Sequence, residues 1–206
     1  MSTAKTLLTA AVGPKTQAAS KPRVRERILR TACELFYQRG IRAVGVDSIA
    51  CEAGTNKMSF YRNFPSKDEL VAEYLRAEER EAWAWWDGVV AAHPGEARVQ
   101  AEALFEAHVK RMSDCDSRGC ALANAAIEIT EATPARTVVE NHKLDLRRRF
   151  RKLARDMRAR EADALGDALM LLWEGSYLTR LVFASRQGPV QNVVRAVRTL
   201  IDAHTR

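Results

Sequence analysis

Six prolines, at positions 14, 22, 65, 94, 134 and 189, divide this chain of 206 residues. Between them the apolar residues recur with a period of 3.6, and no alternating strand of convincing length appears. A chain patterned this way can bury its apolar stripes only by packing helix on helix, so the expected fold is all-α. The first helix is expected from about Pro22 to Arg39, with Val24, Ile28, Ala32, Leu35 and Phe36 as its stripe and Gly40 as a left-handed cap. Short helices follow at about Val46–Ala53 and Lys57–Phe64, broken at Gly54 and Pro65. Ser66 and Glu69 then form a capping box that opens a helix reaching about Ala92. Further helices are expected over 96–113, 119–131, 134–158, 161–184 and 190–204.

Charge separates the two ends. Residues 1–76 carry 13 basic and 7 acidic side chains, net +6, whereas residues 77–206 carry 20 and 19, net +1. A basic excess confined to one third of a chain points to a polyanionic partner there, nucleic acid above all; a basic solubilising tail is the alternative that charge alone leaves open. Leu7–Val12 is too short for a signal-peptide core, and residues 1–21 are expected to be a disordered arm. The apolar run 164–184 is interrupted by Asp167, Glu174 and Arg180, each costing ~2.5–3.5 kcal/mol near a bilayer centre, so it is expected to be buried by protein. The four cysteines are those of a reduced, cytosolic chain; Asp114-Cys115-Asp116 with Cys120 fits no zinc template, and no metal or cofactor is expected.

The informative segment is 45–64, GVDSIACEAGTNKMSFYRNF. Two short helices joined through a glycine satisfy a helix-turn-helix: Ala50 is small where the second helix crosses, and Gly54 takes the positive-φ turn. A helical hairpin inside a packed bundle is the plainer alternative for that spacing. The run Ile49-Ala50-x-x-Ala53-Gly54, followed by Lys57-Met58-Ser59-Phe60-Tyr61-x-x-Phe64-Pro65-Ser66-Lys67-x-Glu69-Leu70, resembles the DNA-binding domain of the TetR (tetracycline repressor) family, as does the preceding Leu35-Phe36-x-x-x-Gly40. The resemblance spans about residues 22–75. Two positions depart from the family pattern: Gly45 stands where Thr or Ser is usual, and Thr55-Asn56 where Val-Ser is frequent.

The resemblance implies a homodimeric, ligand-responsive transcription regulator, with a DNA-binding domain over 22–75 and an effector-binding and dimerisation domain over 76–206. It implies a palindromic double-stranded DNA operator, a small-molecule effector and a cytoplasmic, nucleoid-associated location. Repression relieved by the effector is the expected mode, and activation the alternative. Thr55, Asn56, Lys57 and Ser59, at the start of the recognition helix, are the candidates for base edges or phosphates; Tyr61, Arg62 and Lys67 are the phosphate-backbone candidates. Phe60 and Phe64 are assigned to the core, and Arg23 and Arg42 are weaker backbone candidates.

The remainder is less specific. Phe105, His108 and Met112 share a face of 96–113, Asn124 and Ile127 follow on the next helix, and Phe150, Met170, Trp173 and Tyr177 complete a mostly apolar set with a few polar handles. That is the make-up of a small-molecule site for a hydrophobic or aromatic effector, although a packed core would use the same apolar residues. Trp83, Trp85 and Trp86 are expected in a core or interface, and the run 147–152, Arg-Arg-Arg-Phe-Arg-Lys, on a solvated helix face. Helix 161–184, apolar on almost every side, must bury one side in its own core and the other elsewhere; pairing with 190–204 of a second copy into a four-helix bundle satisfies both. No catalytic residues are expected: no nucleophile elbow, phosphate loop or zinc box occurs, and Glu78-Glu79 falls on exposed positions. An enzyme, or a helical scaffold without DNA, would leave the 45–70 motif unexplained.

Overall fold

A computed structural model describes residues 23–112, 118–183 and 188–205. Among these the regular structure is helical throughout: α1 (Val24–Arg39), α2 (Val46–Glu52), α3 (Lys57–Asn63), α4 (Lys67–Ala91), α5 (Ala97–Met112), α6 (Ala121–Glu128), α7 (Pro134–Asp156), α8 (Ala162–Val182) and α9 (Val193–Thr205). The expected arm 1–21 and the Asp114-Cys115-Asp116 motif lie outside the described residues.

The helix ends obey local chemistry. Ser66 Oγ accepts from the Glu69 amide at 3.1 Å, and Thr133 Oγ1 accepts from Arg136 N at 3.1 Å, one residue before Pro134 opens α7. Gly40 has the positive φ expected of it, 87°, but pairs it with a ψ of 154°. It therefore ends α1 by swinging the chain into an extended direction instead of hooking it in a left-handed turn. The segment 119–131 forms a shorter helix than its composition implies, because Gly119 has φ 80° and Ile129 is already extended. The chain's last apolar stripe begins as a 3-10 turn, Pro189–Asn192, before α9.

Two apolar clusters organise the packing. The first joins α1 to α3 and the first turns of α4: Ile28, Phe36, Ile49, Phe60, Phe64, Leu70 and Tyr74 are its larger members. It does not stop near residue 75, because Leu122 and Ala125 of α6 and Val138 and Val139 of α7 belong to it. The second cluster fills the rest, with Trp86, Leu104, Phe105, Phe150, Leu165, Leu169, Trp173, Val197 and Ile201 at its centre. Helices α7 and α8 form the most extensive pair. They come close because Gly166 sits against the Arg151 backbone, where a Cβ would lie 2.6 Å from Arg151 Cα. The basic run of α7 is therefore not merely solvated. Arg147 and Arg151 both bind Asp167, Arg151 and Arg155 bind Asp163, and Arg149 reaches Asp87 on α4.

Candidate nucleic-acid interface

The turn between α2 and α3 closes as a Schellman motif. Gly54 N–H donates to Cys51 O at 3.0 Å, Thr55 N–H donates to Ala50 O at 2.9 Å, and Gly54 takes φ 64°. Arg27 of α1 braces it from behind, its Nε donating to Ala53 O at 3.2 Å. Asn56 then starts α3, its Oδ1 accepting from Ser59 N at 2.9 Å. Phe60 and Phe64, 0% and 2% exposed, lock α3 to the first cluster with ring centroids 6.0 Å apart.

With that face buried, the rest of α3 faces out. Asn56, Lys57, Tyr61 and Arg62 are exposed, while Thr55 and Ser59 are half-exposed. Lys57 Nζ stands 3.2 Å from Asp47 Oδ2 with both side chains well solvated, a pair worth only ~0–1 kcal/mol and easily exchanged for a phosphate. Tyr61 stands edge-on to Phe60 at 5.3 Å, which fixes the direction of its phenol. These side chains form one continuous surface with a shallow concavity lined by Lys57, Met58, Tyr61 and Arg62. Met58 is 66% exposed, and its place two residues before the buried Phe60 is the sequence signal for that outward position. The bracing role of Arg27 was not readable, because it depends on how α1 crosses the turn.

Lys67 also makes a bond within the fold. Its Nζ donates to Ile41 O at 2.6 Å and lies 5.9 Å from the centre of the Phe36 ring, half-buried beneath the α1–α2 connection. Desolvation there lowers its pKa, and one of the three ammonium donors is committed to the fold.

Behind this surface, the loop before α6 clasps the end of α1. Arg118 donates through Nη1 to Tyr37 O at 3.1 Å and also to Gln38 O; its backbone N–H donates to Tyr37 Oη at 2.9 Å. At the far end of α6, Glu128 Oε2 accepts from Arg42 N at 2.9 Å and packs on Gly40, whose absent Cβ would meet it at 3.2 Å. Arg42 thus engages the clasp through its backbone. Between them lies a cavity of about 10 Å³, room for a single water, bordered by Phe36, Tyr74 and Asn124 among others.

The apolar set expected to line an effector site divides. Phe105, Phe150 and Trp173 fill one another's space, with centroid separations of 5.3–5.8 Å, and Trp86 joins them. His108 stacks on Trp173 at 3.8 Å, and its Nε2 lies 2.7 Å from Ser176 Oγ, which itself donates to Trp173 O. Burial pushes the imidazole's pKa down to about 3. Met112 is buried, and Tyr177 meets His108 edge-on at 4.5 Å. Met170 is half-buried against the second cluster. Ile127 must be corrected: it is 76% exposed, because the short α6 turns its small residues, Ala121 and Ala125, inward and leaves Ile127 on the opposite side. Asn124 belongs with the clasp, its Nδ2 donating to Arg118 O at 2.9 Å. Trp83, Trp85 and Trp86 pack as aromatic core, Trp83 against His142 at 4.6 Å. Glu78 also departs from its exposed assignment. Burial, then the nearby Glu81, raises its pKa to about 7 against the opposing pull of Arg111.

No group of three or more His, Cys, Asp or Glu side chains among the described residues is arranged to hold a metal ion, and none of their helices is long and apolar enough to cross a membrane. The profile described as "Bacterial regulatory proteins, tetR family" matches residues 28–74, the segment that builds α1 to α3 and their contact with α4. The HTH-type transcriptional regulator TcmR of Streptomyces glaucescens is 29% identical over 125 residues, which cover 59% of this chain and 54% of that protein. The HTH-type transcriptional repressor KstR2 of Rhodococcus jostii is 40% identical over 63 residues, 31% of each chain. This chain thus spans about half of the one relative and a third of the other. Among solved structures, a TetR-family transcriptional regulator from Streptomyces coelicolor superposes with a TM-score of 0.78 at 26% identity, covering 89% of this chain and 96% of its own. A TetR-class chain from Streptomyces avermitilis superposes with a TM-score of 0.79 at 30% identity, covering 89% of this chain and 98% of its own. Helix-turn-helix, helical remainder and near full-length likeness agree, and the chain belongs to the TetR family of bacterial regulatory proteins.

Proposed function

We propose that this protein is a DNA-binding transcription regulator acting in the cytoplasm as a homodimer, a repressor that a small, largely apolar effector releases from a palindromic operator. The observation that carries the DNA-binding reading is α3 itself: Phe60 and Phe64 anchor one face, and Asn56, Lys57, Tyr61 and Arg62 occupy the solvated remainder of a basic segment. Such a helix fits a major groove, with Asn56, Lys57 and Ser59 toward base edges and Tyr61 toward the backbone. Repression is favoured over activation because the relatives named for a mode include the repressor KstR2, although FasR of Mycolicibacterium smegmatis is named an activator.

Dimerisation is supported by α8. Leu171, Leu178, Val182 and Phe183 are 73%, 62%, 70% and 51% exposed, a row of large apolar side chains that a single chain leaves in water. An effector site is supported by the polar handles His108 and Tyr177 set among Phe105, Met112, Phe150, Met170 and Trp173. Because Phe105, Phe150 and Trp173 fill one another's space, an aromatic effector would have to displace the His108–Trp173 stack, and its leverage would be its differential affinity for the opened arrangement.

The test is a mobility shift with duplex DNA from the region upstream of the chain's own coding sequence, with sedimentation in parallel. The expected result is a complex of two chains per site whose affinity falls with salt. A monomer in sedimentation, or retention no stronger than on random duplex, overturns the proposal.

A further inference from the structure

At 100° per residue, Met58 and Arg62 each stand about 160° around α3 from Phe60. Phe60 is fully buried, so these two side chains point directly away from the domain core and form the crest of the helix. Lys57 and Tyr61 flank that crest on one side. Met58 is 66% exposed, and its Sδ lies 3.4 Å from Arg62 Nη2, so the thioether and the guanidinium lie side by side.

A long apolar side chain at such a point needs an explanation. It does not serve the core, which lies on the opposite face. Phosphates call for Lys, Arg or a hydroxyl, and the neighbours supply those. A protein partner would need a contiguous apolar patch, whereas Met58 is a single apolar group among Lys57, Tyr61 and Arg62. In the major groove the base edges offer hydrogen-bonding atoms and one apolar group, the 5-methyl of thymine. A flexible, polarizable thioether is well suited to cover it.

We propose that Met58 is a specificity-determining residue that recognises thymine through its 5-methyl group, once in each half-site of the operator. The proposal rests on the reading of α3 as the DNA-contacting helix. Arg62, held alongside the thioether, is carried by the same crest toward the base edges, where a guanidinium pairs with guanine O6 and N7. It therefore acts at the groove floor and not only at the phosphates.

The experiment uses the full chain and duplexes enriched by it from a randomised pool. Each thymine of the selected site is then replaced in turn by deoxyuridine, which removes only the methyl. One methyl-sized contact predicts a loss of about fourfold in affinity per half-site at a single thymine position. Met58→Ala should bind the thymine-containing site more weakly by a similar factor and should no longer distinguish thymine from deoxyuridine there. Its salt dependence should match that of the parent, because no charge is removed. Met58→Leu, still apolar, should keep part of the discrimination. Because Met58 is exposed, these variants fold, and circular dichroism verifies it. The proposal is overturned if no thymine position responds to loss of its methyl, or if Met58→Ala discriminates as the parent does. If the parent enriches no duplex at all, the DNA-binding reading falls and the proposal with it, an outcome told apart by the missing parent signal.

Discussion

Replacing Gly166 with alanine places a methyl group where the backbone of α7 already stands. The added Cβ would lie 2.6 Å from Arg151 Cα and 2.7 Å from Arg151 N. Carbon atoms rest about 3.5–4.0 Å apart, so α7 and α8 would have to separate by about 1 Å at their crossing. The obstacle is backbone, which cannot rotate aside as a side chain would. The crossing is also tied on both sides by Asp163 and Asp167 to Arg147, Arg151 and Arg155. Helix propensity favours alanine by about 0.8–1 kcal/mol, while overpacking of this kind costs typically about 1–3 kcal/mol. Separation would also loosen Leu165 and Leu169 of α8 from Phe150 and Leu153 of α7, all buried in one cluster, which tips the balance against the variant. A net loss of about 2 kcal/mol lowers Tm by about 4–8 °C for a chain of this size. The control is Gly88→Ala on α4, where an added Cβ meets nothing within 4 Å; it should hold or raise Tm. Thermal circular dichroism and urea unfolding followed by tryptophan fluorescence read both, since Trp83, Trp85, Trp86 and Trp173 all report on this core. A Gly166→Ala variant as stable as Gly88→Ala would refute the close crossing.

Glu78 sets a pH dependence: with its pKa raised to about 7, the folded chain holds a proton that the unfolded chain, near 4.5, releases. That stability is present below the unfolded value and lost as pH rises through 7, so Glu78→Gln should stabilise by about 1–3 kcal/mol at pH 8 and be neutral near pH 4 in denaturant titrations; parallel profiles for the two proteins would contradict it. Lys67→Ala should cost about 1–2 kcal/mol of unfolding free energy in urea titrations, because Ile41 O loses a charged donor. Lys57→Ala should reduce the salt slope of DNA binding by ~1 with little effect on stability, since its pair with Asp47 is well solvated. Arg118→Ala should quicken amide exchange across the last turn of α1, residues 37–40, by roughly the tenfold that ~1.4 kcal/mol of lost hydrogen bonding implies, with the rest of the chain unaffected; unchanged exchange there would show that the clasp does not hold α1.

What the chain alone determines is what local chemistry and periodicity can carry. The all-α class, the helix-turn-helix over 45–64 and the starts of α3 and α4 follow from spacing, from Gly54 and from caps such as Asn56 and Ser66, because each depends on residues within one or two turns. The assignment of Phe60 and Phe64 inward follows in the same way, and with it the outward crest of α3. Charged side chains did not yield to this logic. Lys67, Glu78 and the arginine run of α7 are long or ambivalent groups whose position on their helix leaves several partners in reach. Only the tertiary packing put Ile41 O beside the first, buried the second within reach of Arg111 of α5, and set Asp163 and Asp167 beside the third. The same limit holds for the aromatic set of α5, α7 and α8. Apolar side chains that line a site and apolar side chains that fill a core obey one periodicity, and the distances between three helices decide which they become.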